Sequence, residues 1–349
     1  MNRFLKTIWP LVCLLAFFVG VILYGIWAYQ TGNLLLFAVG VILGLILAPV
    51  VHECGHVLAA YFVQMGCVYC KIFCLQAKRN GDKLTWSFVS PFAEDQTQVI
   101  PKNGGNMKRR AICYTLGGLW ASGITLLILL ILVIFPWSAR WLFLGMVFYI
   151  AYLFLMNVLP IAYSAGKTDM LIYKGLKTGA DIEKTMLAAM EIQGRLYEGK
   201  RFSEIDSQLY NTPPLCEDEP LFLMMLDLQY RYALDCGDME SAAMRMNRLA
   251  SLQDYLGQEE LLSVAAELVY MHSKTGDLES AKTNLEVCKD FLERETATSK
   301  RICTAYYFAC GATEPAEIIR REGLALCDKE RVKGLALFEK HLLQNELGE

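Results

Sequence analysis

Apolar residues dominate the first half of the chain, whereas charged and apolar positions alternate in the second half. Four apolar segments each exceed the roughly 20 residues that cross a bilayer as a helix: 7–29, 34–62, 111–137 and 141–163. From about residue 170 onward the sequence is charged and amphipathic, with helical stretches of ordinary length. The pattern predicts a mainly α protein, with a membrane-embedded helix bundle at 1–170 and a soluble, all-α helical-repeat domain at 180–349.

Positive charges predict one orientation for the four segments. The N-terminus carries Arg3 and Lys6, and the apolar run that follows is too long for the core of a signal peptide and is not followed by a cleavage site. Basic residues are concentrated in the loop at 64–110: Lys71, Lys78, Arg79, Lys83, Lys102, Lys108, Arg109 and Arg110. Because Lys and Arg are enriched in cytoplasmic loops, we expect a multi-pass protein of the cell membrane with both termini and this loop in the cytosol.

The loop at 64–110 also contains a β-hairpin pattern. Segments 68–79 and 83–90 are rich in strand-forming residues, and Asn80 and Gly81 between them suit a tight turn. We therefore expect a cytosolic β-hairpin. Cys67 and Cys70 in this region have no partner Cys-x-x-Cys and no histidine nearby, so we interpret them as structural thiols.

Glycines recur in the second half of the chain about 35 to 39 residues apart, a period in the range of repeat proteins: Gly199, Gly237, Gly276 and Gly311. Gly237 and Gly276 begin nearly identical Gly-Asp segments. The period predicts stacked helical hairpins, and an irregular bundle whose turns use Gly-Asp is the alternative. The arrangement of Tyr270, Gly276 and Ala281 resembles a tetratricopeptide repeat, which implies a surface for a cytosolic protein partner.

Composition excludes two classes of protein. The formal net charge of -3 gives no reason to expect nucleic acid as a partner. The 12 cysteines are scattered through both halves, which does not fit the disulfide framework of a small secreted domain.

The motif that carries chemistry is His-Glu-Cys-Gly-His at 52–56, directly after the uninterrupted apolar run 34–51. Residues four apart lie on one face of a helix, so His52 and His56 can hold one metal ion. Glu53 lies toward the same side, within reach of a water on that metal, whereas Cys54 faces away. Ionisable groups at this depth in a membrane are costly and need partners or a function. The motif predicts Zn²⁺ on His52 and His56, with Glu53 as general base.

A hydrolytic zinc site needs a third protein ligand and an open position. Asp169 is the first acidic residue after an acid-free stretch that begins at residue 96, and it follows the fourth apolar segment. The charge distribution puts Asp169 and the end of the second helix on the same side of the membrane. We predict Asp169 as the third ligand; a solvated linker residue or helix N-cap is the alternative.

These residues together resemble the site-2 protease family of intramembrane zinc metalloproteases. The resemblance rests on the motif at 52–56, Gly-Gly-Leu-Trp-Ala-Ser at 117–122, Asn-Val-Leu-Pro at 157–160 and Asp169. It covers roughly the chain from 34 to 170 and implies a three-helix catalytic core to which the first helix is added. In that family Asp-Gly closely follows Asn-x-x-Pro, whereas here Asp169 comes later and is followed by Met170.

The resemblance implies hydrolysis of a peptide bond in or near a transmembrane segment of a substrate protein. It also implies that Asn157 positions the substrate or polarises its carbonyl group, and an interhelical hydrogen bond is the alternative for this residue. Two other functions stay open at the level of sequence. One is a catalytically inactive membrane anchor that presents the helical domain as a scaffold, and the other is a metal transporter.

Overall fold

The two halves of the chain form separate units in the computed structural model. The structure describes residues 3–80, 83–90, 96–162 and 166–345. The units comprise Met1–Ile100 with Asn106–Glu183, and Pro101–Gly105 with Lys184–Glu349. Within the described residues the chain is mainly helical and has one small sheet, in agreement with the prediction of a mainly α protein.

Within the described part of the first unit, four helices are long and apolar enough to cross a membrane, as predicted: α1 (Arg3–Gln30), α2 (Leu34–Phe62), α3 (Met107–Ile134) and α4 (Arg140–Val158). Many of their apolar side chains point outward; Leu35 and Ile134 are each 78% exposed. Apolar surface of this extent is unusual for a soluble protein and typical of helices that contact lipid.

Helix α4 ends at Val158, so the predicted continuation of this apolar segment to residue 163 is wrong. Pro160 explains the early end, because its ring disfavours a helical conformation at Leu159, which has extended backbone angles. Tyr163, where the predicted segment ended, lies outside the described residues. The chain becomes helical again in α5 (Asp169–Thr178).

Small residues allow α2 to approach its neighbours closely. A Cβ atom at Gly40 of α2 would overlap the backbone of Leu142 in α4. Between α2 and α3, a Cβ atom at Gly55 would lie 2.5 Å from the carbonyl oxygen of Gly117, and the reverse distance is also 2.5 Å. Small residues at such crossings are the ordinary means of helix association in membranes. They bring α3 and α4 against the side of α2 that faces the interior.

A four-stranded sheet follows α2, formed by β1 (Met65–Ile72), β2 (Leu75–Asn80), β3 (Lys83–Phe88) and β4 (Gln96–Pro101) in the order β3-β2-β1-β4. The antiparallel β2–β3 pair confirms the predicted hairpin, with Asn80 opposite Lys83. Gly81, half of the predicted turn, lies outside the described residues.

The sheet has four strands, whereas the sequence predicts only the two strands of a hairpin. The predicted strand 68–79 is divided between β1 and β2, because the chain turns at Phe73, whose φ of 56° lies in the left-handed region. Strand β4 has no counterpart in the prediction, since its sequence Gln-Thr-Gln-Val-Ile-Pro is short and half of its residues are polar. This strand nevertheless supplies a residue of the candidate site described below.

In the second half of the chain the described residues form helices joined by turns and loops, without a strand. The α-helices are α6 (Asp181–Glu198), α7 (Pro220–Asp235), α8 (Met239–Ser251), α9 (Gln258–Thr275), α10 (Leu278–Val287), α11 (Lys289–Leu292), α12 (Ala297–Ala309), α13 (Thr313–Cys327) and α14 (Lys333–Asn345), with short 3-10 helices at Phe202–Glu204, Ser207–Tyr210 and Gln253–Tyr255.

The turns between paired helices fit the predicted repeat. Gly237 separates α7 from α8 and Gly276 separates α9 from α10, both with left-handed φ angles of 76° and 80° that glycine adopts readily. The aspartate after each glycine caps the next helix through its side chain. Gly311 divides α12 from α13 with a similar φ of 77°. Gly199 departs from the pattern, since 3-10 helices follow it instead of a second α-helix.

A charged network lies in the core of the helical repeat. Arg301 of α12 is fully buried, and its Nη2 donates to Glu267 of α9 at 2.7 and 3.0 Å while its Nε donates to Glu339 of α14 at 2.7 Å. The hydroxyl of Tyr230 of α7 donates to Glu267 at 2.8 Å. The guanidinium group also lies over the ring of Tyr270, 4.3 Å from its centroid. The network therefore joins four helices from different hairpins.

Candidate metal centre

Helix α2 places two imidazole rings side by side. His52 and His56 are one turn apart and each is only 7% exposed. Their Nε2 atoms lie 3.4 Å from each other. The spacing along the helix therefore brings one nitrogen from each ring to the same point, as the motif predicts.

The loop after α4 brings Asp169 to that point. The buried side chain of Thr168 donates from Oγ1 to the carbonyl oxygen of Leu159 at 2.6 Å and accepts the N–H of Ile161 at 3.1 Å. The same oxygen caps α5 by accepting the N–H of Leu171. Thr168 is therefore the N-cap, and Asp169 is the first residue of α5, where the helix dipole favours a carboxylate.

The carboxylate of Asp169 completes a triangle of ligand atoms. Its Oδ2 lies 3.2 Å from Nε2 of His52 and 3.4 Å from Nε2 of His56. With zinc bonds of about 2.0–2.1 Å and tetrahedral angles, neighbouring ligand atoms are about 3.4 Å apart. The three distances in this cluster, 3.2, 3.4 and 3.4 Å, match the edges of one face of such a tetrahedron.

Hydrogen bonds on the far side of each ring turn the Nε2 lone pairs toward this point. Nδ1 of His56 lies 2.9 Å from the carbonyl oxygen of Tyr114, and because that oxygen can only accept, the proton is on Nδ1. Nδ1 of His52 lies 3.2 Å from Oγ of Ser122, which fits the same tautomer. Metal-binding histidines are usually held in this way. The buried Oδ2 of Asp169 accepts no hydrogen bond from any described residue, so three electron-pair donors converge on a position suited to a cation.

Charge and space at the cluster also suit a metal ion. Burial raises the pKa of Asp169, but the imidazoles of His52 and His56 lower it more, to about 2, so the group is a carboxylate at neutral pH. Gly118 of α3 leaves room for both rings, since a Cβ atom there would lie 2.5 Å from Nε2 of His56 and 2.8 Å from Nε2 of His52.

Glu53 is buried beside the cluster, and its carboxylate is held from the sheet. Oγ1 of Thr97 in β4 donates to Oε2 of Glu53 at 2.6 Å. The predicted base and the three predicted ligands line one cavity. Cys54 is exposed and turned away from it, in agreement with its helical position.

Asn157 lines the same cavity near the end of α4. Its Nδ2 donates to the carbonyl oxygen of Leu153 at 3.2 Å, one turn earlier in its own helix. The bond lies within α4, so it is not the interhelical hydrogen bond that the sequence analysis gave as the alternative role of Asn157. The amide group has a second N–H, which is available to a ligand in the cavity.

Three further residues at the centre have no role in the sequence-based prediction. Ser122 lies in the Gly-Gly-Leu-Trp-Ala-Ser segment, so its motif was recognised although its contact with His52 was not. Tyr114 and Thr97 carried no signal in the sequence, because one contributes a backbone carbonyl and the other lies on the unpredicted strand β4.

Comparisons of the chain with protein-family models, curated proteins and solved structures gave no match.

Proposed function

We propose that the protein is an intramembrane zinc metalloprotease. The observation that carries the proposal is the triangle formed by His52, His56 and Asp169, whose edges have zinc-ligand spacing, with the carboxylate of Glu53 in the same cavity. The ligand atoms come from α2 and from the start of α5, which are far apart in sequence. A chance surface cluster would not be buried and oriented by hydrogen bonds on both rings.

The chain's residues divide the work of peptide hydrolysis between them. Zinc held by the triangle would lower the pKa of a water molecule and polarise the substrate carbonyl. Glu53 takes the proton of the attacking water and passes it to the leaving amine nitrogen. Asn157 donates its second amide N–H to the substrate backbone near the cleaved bond.

The substrate in this proposal is a transmembrane segment of another protein, unwound where its backbone enters the cavity. Support comes from the position of the motif inside α2, one of four helices long and apolar enough to span a bilayer. The basic loop after α2 favours a cytosolic position for this end of the helix and for both termini. The helical repeat would then recruit a protein partner from the cytosol, since such repeats provide extended binding surfaces.

Metal content and cleavage test the proposal together. We expect purified full-length protein to hold about one zinc ion per chain, and we expect His52→Ala and Asp169→Ala to lose it. Glu53→Gln should retain zinc and abolish cleavage of quenched-fluorescent peptides that carry an apolar membrane-spanning segment. His341→Ala is the control, because His341 lies in α14 of the second unit. Zinc-free wild type, or full activity in Glu53→Gln, contradicts the proposal.

An inactive scaffold and a metal transporter predict different results in the same assays. A scaffold would cleave no peptide in either wild type or Glu53→Gln. A transporter would move zinc into sealed proteoliposomes, and Glu53→Gln would alter uptake instead of cleavage.

The substrate of the proposed protease can be identified by mass spectrometry. New N-termini should be present in membranes from cells that express wild type and missing from membranes of cells that express Glu53→Gln.

A further inference from the structure

Strand β4 contributes a buried hydroxyl group to the cavity that contains the proposed base. Thr97 is 8% exposed, and its Oγ1 lies 2.6 Å from Oε2 of Glu53. This length is typical of an O–H donor bonded to an ionised carboxylate. Sγ of Cys70 lies farther away, 3.6 Å from the same Oγ1. The single hydroxyl proton therefore goes to the carboxylate, which is the stronger acceptor.

The backbone of Thr97 is fixed by the helix that also orients a metal ligand. The hydroxyl of Tyr114 donates to the carbonyl oxygen of Thr97 at 2.5 Å. The carbonyl oxygen of Tyr114 in turn accepts the Nδ1–H of His56 at 2.9 Å. Three hydrogen bonds, joined by the covalent frameworks of Tyr114 and Thr97, thus link His56 to Glu53.

We propose that Thr97 is the positioning residue of the general base. By donating to Oε2, it selects one rotamer of the Glu53 side chain and leaves Oε1 to take the proton of the attacking water. A carboxylate on a flexible side chain would otherwise sample orientations in which neither oxygen meets that proton. The inference rests on the proposed role of Glu53, and it makes β4 a functional part of the centre instead of a cover over it.

Two substitutions at one position separate the hydroxyl group from the bulk of the side chain. Thr97→Val keeps the shape and removes the donor, whereas Thr97→Ser keeps the donor. Thr85→Val is the control on the same sheet: Thr85 lies on β3, and its hydroxyl donates to the carbonyl oxygen of Lys78. All variants are full-length protein. The substrate is the one of the quenched-fluorescent peptides described above that wild type cleaves fastest.

We expect Thr97→Val to lower kcat by roughly 10- to 100-fold with KM within about twofold of wild type, because the base is misplaced while binding is unchanged. Thr97→Ser should restore kcat to within about threefold, and Thr85→Val should match wild type. Zinc content should be the same in all of them. Equal losses in Thr97→Val and Thr97→Ser, or loss of zinc in Thr97→Val, would overturn the inference, since both point to packing.

A second readout uses metal-free protein and needs no catalysis. We expect Thr97→Val to lower the thermal midpoint of chelator-treated protein by about 3 °C, as loss of one hydrogen bond to a charged group does. In a Glu53→Ala background the same substitution should have a smaller or opposite effect, because the bond is already absent. Equal shifts in the two backgrounds would show that the two side chains are not coupled and would refute the inference.

The experiments distinguish failure of this inference from failure of the proposed function. If Glu53→Gln abolishes cleavage while Thr97→Val has the kcat of wild type, only the role of Thr97 is wrong. If Glu53→Gln cleaves as well as wild type, the carboxylate is not the base, and both proposals are wrong.

Discussion

Replacement of Arg301 by alanine tests whether the buried charges stabilise the helical repeat. The substitution removes the guanidinium group that bonds to both Glu267 and Glu339 in the network described above, and the side chains of those glutamates are 3% and 5% exposed. Both carboxylates would be left in the core without their cation. Breaking a buried ion pair from one side is among the most destabilising single changes in proteins.

The magnitude follows from the contacts of the guanidinium group. Its bonds to Glu267 and Glu339 are charge-assisted and contribute about 1.5–3 kcal/mol each, and its contact with Tyr270 contributes about 1 kcal/mol. Against this, its buried Nη1 has no hydrogen-bond partner among the residues that the structure describes, which costs about 1–3 kcal/mol. We therefore expect Arg301→Ala to lower the free energy of unfolding of the second unit by about 3 kcal/mol, within the usual range for such pairs.

Hydrogen exchange on the full-length protein measures this loss where it occurs. Mass spectrometry of peptides from α9 and α12 gives the opening free energy of the helices that hold Glu267 and Arg301. The matched control is Arg294→Ala, because Arg294 also contacts a glutamate with two nitrogens, at 2.8 and 3.1 Å from Glu259, but does so at the surface. Exposed pairs contribute little to stability.

The reasoning would be refuted if both variants changed protection of α9 and α12 equally. It would also be refuted if Arg301→Ala destabilised these helices by less than about 1 kcal/mol, because the ion pairs would then contribute no more than surface pairs do. Exchange in α2 and α3 of the other unit should be unchanged in either variant.

Two further predictions concern pH and the metal centre. Burial raises the pKa of Glu267, but Arg301 and Arg231 lower it more, so its pKa in the folded protein is below the usual value of about 4.3. The ionised carboxylate therefore stabilises the fold fully above a pH of about 4.3, and this stabilisation is lost as the pH falls through the folded pKa. The free energy of urea unfolding should decrease over this pH range in wild type and should decrease less in Arg301→Ala. Gly118→Ala places a methyl group 2.5 Å from Nε2 of His56, and we expect it to reduce zinc affinity, measured by metal titration, by at least about 10-fold. Gly123→Ala is the control on the same helix. Its methyl group would lie 3.2 Å from the ring of Phe154, and zinc affinity should be unchanged.

The features that could be predicted from the sequence are those that depend on local spacing. Long apolar runs predict the four long helices, and the spacing of His52 and His56 predicts that their rings lie on one face of α2. The Gly-Asp pairs predict the turns between helices. Each of these predictions needs only residues that are close together in the sequence. Asp169 was found by a less direct signal, the end of an acid-free stretch, and its side chain lies beside both histidines.

The features that could not be predicted depend on contacts between distant segments. Thr97 meets Glu53 only because β4 joins the sheet, and the sequence of β4 is short and does not alternate regularly between polar and apolar residues. Arg301 is a charged residue in an amphipathic stretch and would ordinarily be assigned to the surface. Its burial becomes possible only when α7, α9 and α14 bring their polar groups to it. Such networks are properties of packing, not of any one segment.

The position of Asp169 at the start of α5 has a consequence for biosynthesis. The ribosome makes His52 and His56 early, whereas Asp169 leaves it only after the whole of α4 has been synthesised. A nascent or truncated chain that ends before Thr168 has two histidines, which alone do not make the three-ligand site that hydrolytic zinc requires. Thr168 must also bond to Leu159 and cap α5 before Asp169 has its place. In the proposed function, a chain still being inserted beside other membrane proteins therefore has no complete site with which to cut them.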